Sequence, residues 1–232
     1  MADPPLIVPL DAIDPVLLGG DATELALASF EDYRRSVRTD VRILLDRFAY
    51  VHAALKVVGV GSVGTRCAIV LMQGADEDDL LFLQAKEAQA SVLEPYLGAS
   101  AYAHPGERVV RGQRSMQSAS DVFLGWGDGP LGRHFYWRQL RDWKGSADVD
   151  RMSANVLERY GIVCGWTLAK AHARSGDRIA LAAYLGASSR FEDALVDYAC
   201  AYADRAEADY AALAAAARDG RIEARDDADD AA

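Results

Sequence analysis

The sequence is short of cysteine, of basic charge and of long apolar runs, and each shortage excludes something. Cys67, Cys164 and Cys200 make an odd count with no CxxC pair and no histidine at ligand spacing, which argues against a disulfide framework or a cysteine zinc site. They read as small buried hydrophobes. Twenty-five Lys and Arg stand against 35 Asp and Glu, for a net charge of -10, and a surface of that sign repels phosphate backbones, so nucleic acid is not an expected partner. Apolar runs such as residues 68–72 and 211–217 fall far below the roughly 18 to 20 residues of a membrane helix, and no membrane partner is expected. The opening MADPPLIVPLD has no basic start and is broken by Pro9 and Asp11. It is not a secretory signal, and the cytoplasm is the expected compartment. The four histidines, His52, His104, His134 and His172, are scattered and no GxSxG elbow occurs, so a serine hydrolase is not indicated.

What remains is ample for a full core, since half of the 232 residues are hydrophobic. Residues 1–20 carry four prolines and the Gly19-Gly20 pair and read as an extended leader. From Asp21, Leu25, Phe30, Tyr33, Val37, Val41, Leu44, Leu45, Phe48 and Val51 recur at helical spacing, with a break near Thr39-Asp40 and with Asp21 or Thr23 as cap. Strand texture follows at 57–58, 67–72 and 80–86, then a short helix over 87–97 interrupted by Pro95, then strands at 108–116, 121–126 and 134–140. After residue 145 the helical period returns in three segments, near 156–175, 177–185 and 191–218. The prediction is an α+β fold: an N-terminal helix and a mixed or antiparallel sheet over 21–147, a helical portion over 148–218 and a solvated, mobile acidic tail over 219–232.

The sharpest local signal is Gly59-Val60-Gly61-Ser62-Val63-Gly64, a GxGxxG. A dinucleotide loop must open a helix, whereas Thr65 to Met72 is rich in β-branched and apolar residues and ends in a turn too soon for a crossover helix. The ribose-binding acid at a strand end is also missing, so that reading is rejected. A strand, a glycine loop and a second strand instead form the hairpin that covers nucleotide phosphates in kinase-like proteins, because absent β-carbons let backbone amides approach the oxygens. Alternation along 80–86 puts Leu81, Leu83 and Ala85 on one face and Phe82, Gln84 and Lys86 on the other. Lys86 ends that strand, where it can reach α and β phosphates. It needs a carboxylate to orient it, and Glu94, just before Pro95, is the best candidate. An ordinary glycine hairpin with a surface lysine stays equally open.

His172 to Asp177 superficially suggests a kinase catalytic loop, but the Asn needed five residues past the Asp is Ala182. Gly176 and Asp177 are better read as a helix stop and the next helix cap. Arg138 and Lys144 could meet phosphate, although an edge strand with solvated charges and a buried Trp137 is favoured. Arg108, Arg111 and Arg114 read as an exposed basic face.

Five ordered segments, VVGVGSVGTRCAIVLM, LLFLQAKEAQASVLEPYLG, GQRSMQSASDVFLGW, FYWRQLRDWKGS and GWTLAKAHARSGD, resemble the bacterial domain of unknown function 2252 family over nearly the whole chain. By analogy that resemblance implies a relative of the kinase-like phosphotransferases, with Gly59, Gly61, Ser62, Gly64 and Lys86 on the nucleotide and ATP with magnesium as the cofactor. Segments resembling Gly-Asp-x-His-x-x-Asn-Phe and Asn-Asp-Phe-Asp, which a complete member carries upstream, are absent. The resemblance therefore places this chain as the C-terminal half of a longer protein, incomplete for catalysis, with a polypeptide carrying those motifs as a possible partner. The competing expectation is a non-catalytic binding or assembly module.

Overall fold

The computed structural model describes residues 7–56, 64–140, 145 and 147–223. Gly59, Gly61 and Ser62 of the glycine segment, Lys144, and the acidic tail beyond residue 223 lie outside the described residues. Among the described residues there are six strands, β1 (Ile7–Pro9), β2 (Ala49–Lys56), β3 (Cys67–Gln73), β4 (Leu80–Ala88), β5 (Gly125–Asp128) and β6 (His134–Gln139). They form one antiparallel sheet in the order β1-β2-β3-β4-β6-β5. The described residues also hold eight α-helices, α1 (Pro15–Leu18), α2 (Ala22–Ser36), α3 (Thr39–Leu45), α4 (Glu94–Leu97), α5 (Pro105–Met116), α6 (Ala154–Ser175), α7 (Arg178–Leu185) and α8 (Arg190–Arg218). The α+β expectation is met. No helix among the described residues is long and apolar enough to cross a membrane.

Asp21 caps α2 through the amides of Thr23 and Glu24, and the chain breaks at Val37 and Arg38 before α3. Phe30, Tyr33, Val37, Val41 and Leu45 bury one face of the sheet with Val70, Leu81, Leu83, Ala85, Phe135 and Trp137. Leu83 is fully buried, and the alternation read along β4 holds. Tyr33 stacks on Trp137 with ring centroids 4.8 Å apart, and its hydroxyl donates to the Phe123 carbonyl at 2.7 Å. Helix α2 also laces the outer edge of β5. Asp32 accepts the Asp128 amide and Ser36 accepts the Trp126 amide, both at 2.7 Å, while Ser29 donates to the Asp128 carbonyl at 3.0 Å. The spacing 29, 32, 36 puts all three on one helix face. The approach needs Gly127, where a β-carbon would stand 2.7 Å from the Tyr33 amide nitrogen.

The structure corrects several expectations. Residues 105–116 form α5 and no strand: Pro105 sits at the first turn, His104 caps it by accepting the Glu107 amide, and Glu107 pairs with Arg111 four residues on. The adjacent Val109 and Val110 suggested β structure, but Val110 is buried by tertiary packing. Arg108, Arg111 and Arg114 are therefore helix side chains that tie α5 down, with Arg108 donating to the Gln89 carbonyl and Arg114 to that of Leu124. The strand expected at 121–126 begins at Gly125, because Asp121 turns the chain by accepting the Phe123 amide. β6 is internal, between β4 and β5, where an edge was expected. The leader holds β1 and α1. Cys67 is buried, but Cys200 is exposed.

Strand gives way to helix between Gln139 and Ala154, near the expected place, but compact units part later: one runs to Ser175 and the other begins at Gly176. α6 thus belongs with the sheet, and Arg174 at its end donates to the Ser115 carbonyl of α5. Asp177 caps α7 through the amides of Ile179 and Ala180, as read from the sequence.

Candidate functional site

Antiparallel pairing stacks side chains of one face into rows. On the sheet face opposite α2, Cys67 of β3 pairs with Lys86 of β4, Lys86 with Tyr136 of β6, and Tyr136 with Trp126 of β5. The neighbouring row holds Ile69, Gln84 and Arg138. Lys86 therefore lies at the end of the sheet where the segment between β2 and β3 closes, with Arg138 on the diagonal. Gly64, the last glycine of that segment, has φ +83, a left-handed backbone that favours glycine, and no atom lies within 4 Å of the β-carbon position.

Lys86 is half-buried and forms no ion pair among the described residues. Gln84 donates to the Cys67 sulfur at 3.1 Å. Burial pushes the Tyr136 phenol above its ordinary value against the pull of Arg138, with Cys67 adding to the rise, so the hydroxyl remains a donor at neutral pH. Arg111 of α5 lies over the Trp126 ring at 5.5 Å. The two rows together thus offer a lysine, an arginine and a phenol, a donor set that suits phosphate oxygens.

Glu94 is not brought to Lys86 by any ion pair among the described residues. It opens α4, and its Oε1 accepts the Ser91 amide at 3.1 Å, closing its own turn. The carboxylate after Lys86 is Glu87, whose side chain is only 8% exposed. Burial pulls its carboxyl upward, yet hydrogen bonds from the Arg66 guanidinium and amide, both 3.1 Å long, together outweigh burial and hold it below the ordinary range.

The histidines are less scattered than the sequence suggested. His104 Nε2 lies 3.2 Å and His134 Nδ1 2.7 Å from the same Asp128 oxygen, with the rings edge to face at 4.5 Å. Two histidines and a carboxylate suggest a metal, but the donor chemistry argues otherwise. His104 Nδ1 accepts the Glu107 amide, so the neutral ring carries its proton on Nε2 and donates it to Asp128, leaving no lone pair there for an ion. The trio is a hydrogen-bonded strut between α5 and the sheet. Thirty residues separate His104 from His134, and only the pairing of β5 with β6 unites them.

Comparison with known proteins settles the lineage. The family model described as "Uncharacterized protein conserved in bacteria (DUF2252)" matches residues 1–216. The chain belongs to this family. No curated protein and no solved structure matches it. The DUF2252 match spans every element from β1 to nearly the end of α8, so the sheet and the helices after it belong to one family unit.

Proposed function

We propose that this DUF2252 protein is a nucleotide-binding portion of a kinase-like phosphotransferase, incomplete for catalysis by itself. The observation that carries this reading is Lys86: a half-buried cation without an ion pair among the described residues, one row from Arg138, at the sheet end where the glycine segment returns to β3. A phosphate chain at this end of the sheet would meet Lys86 and the Tyr136 hydroxyl of one row, then Arg138 of the next. The described carboxylates do not fit a magnesium site beside them, since Asp128 is engaged by two histidines and Glu87 by Arg66. Metal ligands and a catalytic base would come from a polypeptide carrying the missing motifs. The net charge of -10 sets nucleic acid and anionic membrane surfaces outside this reading.

Thermal unfolding with and without Mg-ATP tests it on the wild type, Gly61→Val and Lys86→Met. A ligand at about 100 times its Kd adds about 2.7 kcal/mol, or roughly 5 to 10 °C for a domain of this size. The expected result is a rise lost in both variants. No rise at saturating Mg-ATP, or a rise that survives Lys86→Met, overturns it.

The second reading, a binding or assembly module without catalysis, is favoured by the exposed aromatics of α8: Tyr198, 64% exposed, and Tyr202, 59% exposed. Side chains of that kind cluster where a partner docks. Sedimentation at increasing protein concentration separates the two, since assembly moves with concentration and nucleotide binding does not.

A further inference from the structure

On the α2 side of the sheet, away from Lys86, a cavity of about 100 Å³ opens between α1, α2 and strands β2, β3, β4 and β6. Its wall is apolar, with Leu18, Leu25, Leu55, Val70, Phe135 and Trp137 contributing most of the bulk. Two features in this wall are chemically incomplete. The Trp137 ring is 2% exposed, and its indole N–H has no hydrogen-bond partner among the described residues. Arg133, also in the wall, stands 3.9 Å from Glu87 and makes no side-chain hydrogen bond among the described residues, because Arg66 already occupies Glu87 at 3.1 Å. Two guanidinium groups face one carboxylate, so a positive charge is left over where the apolar wall begins. The turn that carries Arg133 is strained as well. Leu131, between the wall residues Pro130 and Arg133, has φ 60 and ψ 31, and is the one described residue other than glycine with positive φ.

We propose that this cavity binds a short aliphatic carboxylic acid carrying an oxygen acceptor along its chain, such as an oxo acid. The carboxylate pairs with the Arg133 fork, which matches its planar geometry. The carbonyl accepts the Trp137 N–H, and the alkyl part fills the space between Leu25 and Phe135. Size bounds the chain: a cavity of about 150 Å³ takes benzene, so this one takes about four carbons beyond the head group. A long acyl chain is excluded.

The test is NMR titration of the ¹⁵N-labelled full chain, with the Trp137 indole resonance assigned through Trp137→Phe. The probes are 4-oxopentanoate, pentanoate and pentylamine. The expected result is saturable movement of that resonance by 4-oxopentanoate in the millimolar range, several-fold weaker binding of pentanoate, and none by pentylamine. Arg133→Gln, a partly exposed position that leaves the core intact, should weaken 4-oxopentanoate about ten-fold. Ala26→Leu, which fills the cavity from α2, should abolish binding while circular dichroism reports the native fold. The proposal is overturned if neither acid moves the Trp137 resonance, if pentylamine binds as well as the acids, or if both folded variants bind 4-oxopentanoate like the wild type. Since the site lies on the opposite side of the sheet from Lys86, Lys86→Met should leave this titration unchanged, which keeps it independent of the nucleotide reading.

Discussion

The sheet with α2 and α3, and the helices α7 and α8, use apolar residues in opposite ways. In the sheet, Leu83, Tyr33 and Trp137 are almost wholly withdrawn from water and lock together by stacking and a buried hydroxyl bond. Along α7 and α8 no described residue is buried, and Leu195, Val196, Tyr198 and Tyr202 face outward. These helices rest on local physics: alanine-rich sequence, the Asp177 cap, and pairs such as Arg205 with Asp209 at 3.1 Å. Similar hydrophobic content therefore produces a core in one region and an open apolar surface in the other. The second region is the one whose stability a partner would change.

Leu83→Ala should break the contrast most, costing about 2 to 5 kcal/mol in urea unfolding, because the site has no solvent to relax into. Leu195→Ala, half exposed on α8, should by comparison stay within about 0.5 kcal/mol; a cost like that of Leu83 would mean that α8 is packed against something in solution. Gly127→Ala comes next, at roughly 1 to 3 kcal/mol, since its new methyl meets the α2 backbone, where no rotamer can move aside. Asp177→Ala should remove about 1 kcal/mol of helix stability at α7, read by circular dichroism melting.

The pH experiment sharpens the picture on the sheet side. Glu87 has a folded pKa below its unfolded one. Its contribution is therefore fully present above the unfolded value near 4.3 and is lost as pH falls through the folded value. The stability gap between wild type and Glu87→Gln should be constant from neutral pH down to about 5 and close below about 4. A gap that grows on acidification would show that the Arg66 bonds do not hold the carboxylate ionised.

How much was legible in advance follows the same division. The helical period of α2, α6 and α8 and the alternation of β4 were read correctly because each depends on local spacing. Helix α5 was missed although Pro105, Glu107 and Arg111 marked it, since Val109, Val110 and Gly112 lower helix propensity and only burial of Val110 restores it. The face of β4 that carries Lys86 was read correctly, but the strand does not end there and runs on to Ala88. That Tyr136 and Arg138 are neighbours of Lys86 was not legible, because they come from β6, some fifty residues away in sequence, and only register unites them. The Arg133 and Trp137 cavity had no sequence signal at all. It arises where α1 and α2 fail to fill the space over the sheet.

The lacing of β5 by Ser29, Asp32 and Ser36 also governs how the sheet could meet other chains. A strand edge left bare recruits further strands, whether from a ligand peptide or from a misfolded copy. On the β5 side that recruitment is blocked, because hydroxyl and carboxylate groups already occupy the places a new backbone would take. Among the described residues, growth by strand addition is left to β1, an edge only three residues long, and any peptide that pairs there has to compete along a very short rail.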